Sequence, residues 1–134
     1  MTLAAKPENY RMRALVLDDS KTTRMILRRI FQNIGFEVSE AEDGAQGLKS
    51  IQEMGKPDFV TVDWDMPVMD GLAFVRAVRA EYHAENLPLL MVTAANDAGH
   101  VAAALEAGVN EYLMKPFTEE MVREKLEILG VLQA

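Results

Sequence analysis

Five polar residues stand where short apolar runs of the chain stop: Asp18 and Asp19, Asp63, Thr93 and Lys115. The sharpest case is Val60-Thr-Val-Asp-Trp-Asp-Met-Pro-Val-Met-Asp-Gly71. An apolar, β-branched run ends at Asp63, Pro67 breaks the strand, and Asp70-Gly71 turns the chain into a helix. If the run ends are the carboxyl ends of parallel strands, three carboxylates, a hydroxyl and an ammonium meet at the rim where open α/β sheets hold ligands. Carboxylates that close repel one another, so a proton or a cation must sit among them. Hard oxygen donors at an open rim suit Mg²⁺, which takes few carboxylates and keeps several waters. The same set suits phosphoryl transfer. A carboxylate oxygen attacks in line, the metal and the ammonium neutralise the transferring group, and the Thr93 hydroxyl hydrogen-bonds one of its oxygens. Each residue alone has an ordinary reading, as a solvated Asp-Asp loop, β-branched packing or a Lys-Pro loop. Their placement at four different strand ends is what carries the chemistry.

The elements that must position them can be read from hydrophobic period and end signals. Arg13–Leu17 is a short apolar strand, and Ser20 is placed to cap the helix that follows. That helix, Lys21–Ile34, sets Thr23, Ile26, Leu27, Ile30, Phe31 and Ile34 on one face, with Lys21, Arg24, Arg28 and Arg29 opposite. Gly35 stands where a left-handed cap ends it. Residues 36–41 read as a second strand. The next helix begins near Gly44 with Ala45, Leu48 and Ile51 inward, and stops at Gly55-Lys56-Pro57. After the Asp63 strand, a helix from Gly71 buries Phe74, Val75 and Val78. Residues 87–93 form a strand, Ala98–Ala107 an Ala-rich helix ended by Gly108, and Glu111–Met114 a short last strand. Thr118 caps a final helix with Val122, Leu126 and Leu129 inward, and Glu119 and Glu120 suit its positive end. Strand and helix thus alternate five times through short links. The pattern implies a doubly wound, five-stranded parallel α/β sheet with helices on both faces and right-handed crossovers.

The chain of 134 residues is 49% hydrophobic and 26% charged, which is ordinary for one globular domain. No run approaches the ~18 apolar residues of a membrane span, and the N-terminus lacks a signal-peptide pattern. There is no cysteine, which removes disulfides and thiolate metal sites and fits a cytoplasmic protein. A net charge of −7 argues against direct nucleic-acid binding. Residues 1–12 are expected to be a flexible lead-in, and 13–134 the domain.

Four segments in this order resemble those of response-regulator receiver domains: Leu-Asp-Asp-Ser (17–20), Val-Asp-Trp-Asp-Met-Pro-Val-Met-Asp-Gly (62–71), Met-Val-Thr-Ala (91–94) and Tyr-Leu-Met-Lys-Pro-Phe (112–117). The resemblance runs from about Met12 to the last helix, and is strongest to single-domain chemotaxis members. It implies a flavodoxin-like sheet in the order 2-1-3-4-5. It implies that Asp63 accepts the phosphoryl group, and that Asp19, Asp63 and the backbone carbonyl of Asp65 bind Mg²⁺, with Asp18 helping through water. Thr93 would contact the phosphoryl group, Lys115 would pair with it, and Tyr112 would be the switch aromatic that turns inward as Thr93 moves. The Lys115-Pro116 bond is expected to be cis. The donor is expected to be a sensor histidine kinase or a histidine phosphotransfer protein, docked on the basic face of the first helix. A downstream protein target would read the last helices and strand around Tyr112. Asp65 stands where the chemotaxis members carry Asn, and Ala95 where they carry Glu. Both positions tune phosphate lifetime in the family.

Two other readings stand beside this one. Asp63-Trp64-Asp65 also has the form of the Asp-x-Asp nucleophile motif of haloacid-dehalogenase-type phosphatases. Those enzymes, however, place the motif on the first strand and their acidic metal pair late, the reverse of the order here. The second is the receiver portion of a larger transcriptional regulator.

Overall fold

A computed structural model describes residues 10–95 and 97–133. Five parallel strands form one sheet in the order β2-β1-β3-β4-β5. They are β1 (Arg13–Leu17), β2 (Glu37–Ala41), β3 (Phe59–Val62), β4 (Leu89–Thr93) and β5 (Glu111–Met114). Helices α1 (Lys21–Ile34), α2 (Gly44–Met54), α3 (Gly71–Glu81), α4 (Ala98–Ala107) and α5 (Glu119–Ile128) connect and follow them. Strands β2 and β4 are shorter at their starts than the apolar runs suggest. Phe36 and Leu87 are buried outside the ladder, so their hydrophobicity serves the core rather than strand pairing.

The period-2 alternation of the strands divides the core into two layers. Val16, Phe59, Leu90, Val92 and Leu113 face α1 and α5, where Phe31, Phe36 and Phe59 meet edge-to-face. Leu17, Val60, Val62, Leu89, Met91 and Tyr112 face α2, α3 and α4. Side-chain oxygens of Ser20, Asp43, Asp70, Asp97 and Thr118 each accept an amide of the first helical turn, so every helix is capped at the end nearest the strand rim. Of the expected lead-in, residues 1–9 lie outside the described residues. The Tyr10 hydroxyl donates to Asp58 at 2.6 Å, and the Met12 carbonyl accepts from the Glu37 amide at 2.9 Å.

Two helix faces differ from the expected ones. The inward row of α1 is Arg24, Leu27, Ile30 and Phe31, while Ile26 is 48% exposed. Arg24 belongs to the row because its guanidinium is satisfied there: it donates to the Asp18 carbonyl at 2.7 Å and to Glu40 at 3.1 Å. In α2 the buried positions are Gly44, Gly47 and Ile51, and Ala45 is exposed. A Cβ on Gly47 would approach Leu17 Cδ2 of β1 to 2.5 Å, so lack of a side chain, rather than hydrophobicity, is what lets α2 approach the sheet.

Thr61, central in β3 between Val16 and Leu90, is 1% exposed, and its hydroxyl has no hydrogen-bond partner among the described residues. A buried polar group without a partner costs about 1–3 kcal/mol. Thr61→Val should therefore stabilise the protein by about 1 kcal/mol, read as a higher urea midpoint at unchanged m-value. A lower midpoint would show that the hydroxyl is satisfied.

Candidate functional site

The rim residues are placed by continuation of the ladder one step past each strand. The Asp18 amide donates to the Ala41 carbonyl at 3.1 Å, the Asp63 amide to Leu17 at 3.0 Å, and the Lys115 amide to Thr93 at 3.0 Å. Leu17 pairs with Val62, so the two aspartates that follow are neighbours. Alternation sends Asp18, Asp63 and Lys115 to the α1/α5 side, two residues beyond Val16, Thr61 and Leu113. Lys115 Nζ lies 2.9 Å from Asp18 Oδ2 and 2.9 Å from Asp63 Oδ2. Its ammonium thus spans both carboxylates, and the Lys115-Pro116 bond is cis, as expected.

Carboxylate oxygens of Asp18, Asp19 and Asp63 all lie within 4.8 Å of one another. Asp18 and Asp63 are buried and Asp19 is exposed, so the cluster opens to solvent on one side. Both Asp18 oxygens are engaged, by the Ser20 amide at 2.9 Å and by Lys115. Asp63 Oδ1 is buried with no partner among the described residues. Buried polar atoms are almost always satisfied, so this orphaned oxygen beside an exposed carboxylate marks a place for a cation or a reacting group. The electrostatics agree. Burial pushes the Asp18 carboxyl above the usual carboxylate range, with the Asp63 charge adding to it and Lys115 and the Ser20 amide offsetting part. Burial disfavours the Lys115 charge, but its bonds to Asp18 and Asp63 more than offset that and hold it above the ordinary lysine value. The Asp18 shift is first a matter of burial, whereas the Lys115 shift reports the two carboxylates gathered on one ammonium.

Thr93 and Tyr112 form a second group. Thr93 faces the α4 side, two residues beyond Met91, and its hydroxyl accepts from the Ala95 amide at 3.3 Å instead of contacting a carboxylate. The Tyr112 ring is 9% exposed, and its hydroxyl donates to the Ala95 carbonyl. Ala95 is therefore joined to both residues. Burial raises the Tyr112 phenol pKa, helped by the charges of Asp97, Asp63 and Asp65. The Asp65 side chain is exposed.

The loop after Asp63 is held closely. The Gly71 amide donates to the Trp64 carbonyl at 2.9 Å, and a Cβ at Gly71 would collide with the Asp63 carbonyl. Only glycine lets α3 start against the backbone of Asp63. Val68, five residues past Asp63, is 86% exposed with φ 67°, a left-handed conformation costly for a β-branched residue. Trp64 meets His100 of α4 with ring centroids 4.6 Å apart. Sequence reasoning did not anticipate Val68, the His100 contact or the Arg24 link to the Asp18 carbonyl. Of these, only Arg24 left a signal, its spacing from Leu27 and Phe31.

The family profile described as the response regulator receiver domain matches residues 14–127. The chain belongs to that family. It is 41% identical over 117 residues to the chemotaxis protein CheY of Pseudomonas aeruginosa, covering 87% of this chain and 94% of that one. It is 39% identical over 119 residues to CheY1 of Helicobacter pylori, covering 88% and 96%. Among solved structures, Vibrio cholerae CheY4 superposes with a TM-score of 0.82 at 31% identity, covering 90% of this chain and 99% of that one. The receiver domain of a Pseudomonas aeruginosa sensor histidine kinase, described with a magnesium ion coordinated in its active-site cleft, gives 0.80 at 27% identity, covering 90% and 99%.

Receiver domains are phosphorylation-activated switches of two-component systems. They interact with histidine kinases or phosphotransfer proteins and with downstream targets. This assignment decides against the haloacid-dehalogenase reading: the chain is a signalling receiver. Among the described residues, no helix is long and apolar enough to cross a membrane.

Proposed function

We propose that this receiver takes a phosphoryl group on Asp63 from a phosphohistidine of a sensor kinase or phosphotransfer protein. The observation that carries this is Asp63 itself. It is buried at the rim, with one oxygen clasped by Lys115 and the other without a partner. An Asp63 oxygen forms the new O–P bond as the P–N bond to the imidazole breaks, and the imidazole keeps the electron pair. Asp18, Asp19 and Asp63, with the Asp65 carbonyl, would hold Mg²⁺; the orphaned oxygen and the charge deficit of the cluster fit a hard divalent cation. When bound, the ion neutralises charge on the transferring group. Lys115 keeps the acceptor oriented and meets the added negative charge. Thr93 leaves the Ala95 amide to reach a phosphoryl oxygen, and the Tyr112 ring, bonded to the Ala95 carbonyl, is held inward as it does so. The β5 and helix surface around Tyr112 is then biased toward a downstream target. The names of the relatives favour chemotaxis as the setting, in the cytoplasm. Residues 13–134 make up the receiver domain.

The test is intact-mass analysis after incubation with a small phosphodonor. One phosphoryl group should be added with Mg²⁺ and none with EDTA. Labelling that ignores EDTA would refute the metal-assisted reading.

Metal binding should also depend on pH. Asp18 holds its proton to higher pH than a free aspartate, and Mg²⁺ must compete with it. Affinity should fall as pH drops from neutral toward the raised Asp18 value. In the metal-free protein the sign is opposite: the stability contribution of Asp18 is present below the ordinary aspartate range and lost as pH rises through the raised value. Quenching of Trp64 fluorescence by Mg²⁺, at pH 7 and about pH 5, measures the first effect, and Asp19→Ala should weaken quenching at both. An affinity that rises as the pH is lowered would contradict the raised Asp18.

A further inference from the structure

Arg24 is a cation buried beside the site, and none of its bonds goes to a carboxylate of the Asp18, Asp19 and Asp63 cluster. It stands in the first turn of α1, and its side chain is 10% exposed. Its backbone amide donates to the Ser20 carbonyl at 3.0 Å, and helical side chains lean toward the N-terminus. The guanidinium therefore reaches back over the loop that carries Asp18 and Asp19. Of its three contacts the shortest is not with an acid. Nη1 lies 2.7 Å from the Asp18 carbonyl, Nε 3.1 Å from Glu40 and Nη2 3.9 Å from Glu42.

The carbonyl held in this way belongs to the peptide between Asp18 and Asp19. The strand ladder does not fix that peptide. Its last rungs there join the Asp18 amide to Ala41 and the Leu17 carbonyl to the Asp63 amide, and the peptide lies one step beyond both. The Asp18 carboxylate is anchored separately, by the Ser20 amide and Lys115. Asp19 differs. Among the described residues no hydrogen bond or ion pair holds its carboxylate, yet one of its oxygens lies within 4.8 Å of those of Asp18 and Asp63. Its direction follows its backbone, and turning the rigid 18–19 peptide changes ψ of Asp18 and φ of Asp19 together. Arg24 is itself held in place. Glu40, on β2, accepts from Arg24 Nε with one oxygen and from Arg28 Nη1 with the other. A planar guanidinium fork can make both attachments at once, whereas an ammonium is a point charge on a flexible stem.

From this arrangement we infer that Arg24 is a positioning residue for the metal: clamped by Glu40, it fixes the Asp18–Asp19 peptide and so aims the Asp19 carboxylate into the cluster. The inference rests on the Mg²⁺ site of the proposed function and adds a residue that acts through its ligands. Groups that orient metal ligands typically contribute about 10–100-fold in affinity. Mg²⁺ demands near-ideal octahedral geometry, whereas Ca²⁺ accepts irregular sets of oxygens. Loosening Asp19 should therefore weaken Mg²⁺ more than Ca²⁺. A change of charge alone would weaken both ions alike, and a purely structural defect would lower metal-free stability without moving their ratio.

The test titrates Mg²⁺ and Ca²⁺ separately into the full chain with Trp64 fluorescence as the signal, and takes a urea midpoint without metal. Arg24→Lys keeps the charge and loses the fork. It should weaken Mg²⁺ about 10-fold and Ca²⁺ by less. Glu40→Ala, which releases Arg24 from β2, should do the same. Glu42→Ala removes an equal charge from the same groove but no hydrogen bond of Arg24, and should change either affinity by no more than about twofold. Adding Arg24→Lys to Asp19→Ala should bring little further loss, because no carboxylate remains to be aimed. Unchanged Mg²⁺ affinity in Arg24→Lys, an equal loss for the two ions, an equal loss in Glu42→Ala, or full additivity with Asp19→Ala would each overturn the inference. If Arg24→Lys shows no cooperative urea transition, Glu40→Ala carries the same comparison. A wild type that responds to neither ion fails the metal site itself and the inference with it. A wild type that binds Mg²⁺, with Arg24→Lys and Glu40→Ala unaffected, fails the inference alone.

Discussion

Lys115→Met should destabilise the metal-free protein by about 3 kcal/mol, and Mg²⁺ should restore part of that loss. Among the described residues Lys115 is the one cation in contact with two buried carboxylates, and its side chain is about a fifth exposed. Removing one partner of a buried ion pair typically costs about 3–5 kcal/mol, because the charge left behind is uncompensated. The partial exposure of Lys115 and the option for Asp18 to protonate place this case at the lower end. Met keeps the length and apolar stem, so packing loss is small. A divalent cation among the same carboxylates supplies the missing positive charge, so the Mg²⁺-induced rise in urea midpoint should be larger in the variant than in the wild type. An equal rise in both would show that Lys115 and the metal do not share the charge of Asp18 and Asp63.

Asp65→Asn should lengthen the life of the acyl phosphate on Asp63, by up to ~100-fold if base catalysis is fully developed. Asp65 lies two residues past the acceptor with its carboxylate exposed, and its charge is felt at Tyr112. Two effects compete. The carboxylate repels phosphoryl oxygens and attacking hydroxide, which would slow hydrolysis. It also accepts a proton from attacking water, which would speed it. At an exposed rim the repulsion is screened to about 1 kcal/mol or less, whereas positioned base catalysis reaches ~100-fold or more. The base should win. Decay of phosphorylated protein after donor removal, at fixed Mg²⁺, compares the two. Faster decay in Asp65→Asn would show repulsion to be the larger effect.

What was legible in the chain, and what was not, follows from the kind of signal each residue leaves. Strand ends are announced by apolar runs that stop at a charge, so Asp18, Asp63, Thr93 and Lys115 could be placed at one rim before any coordinates. The sheet order came from the resemblance, since alternation alone fixes parallel strands but not their sequence across the sheet. Arg24 was misplaced because a charge normally marks a solvated face. Its burial depends on the Asp18 carbonyl and Glu40, partners that no helical period reveals. Gly47 was passed over for Ala45 because close approach of a helix to a sheet selects for the absence of a side chain, which hydrophobic counting does not register. That Tyr112 lies inward, bonded to Ala95, is likewise beyond period: on an edge strand either face can be solvated, and the cover comes from α4. The union of Thr93 and Tyr112 through one residue is a property of the folded loop, not of spacing.

The most direct test of the switch is to map the phosphoryl group. Wild type and Asp63→Asn are incubated with the same small phosphodonor and Mg²⁺, and intact mass is followed by peptide-level localisation. One phosphoryl group on the peptide containing Asp63 in the wild type, and none in the variant, is the result this account predicts. Unchanged labelling of Asp63→Asn would contradict it.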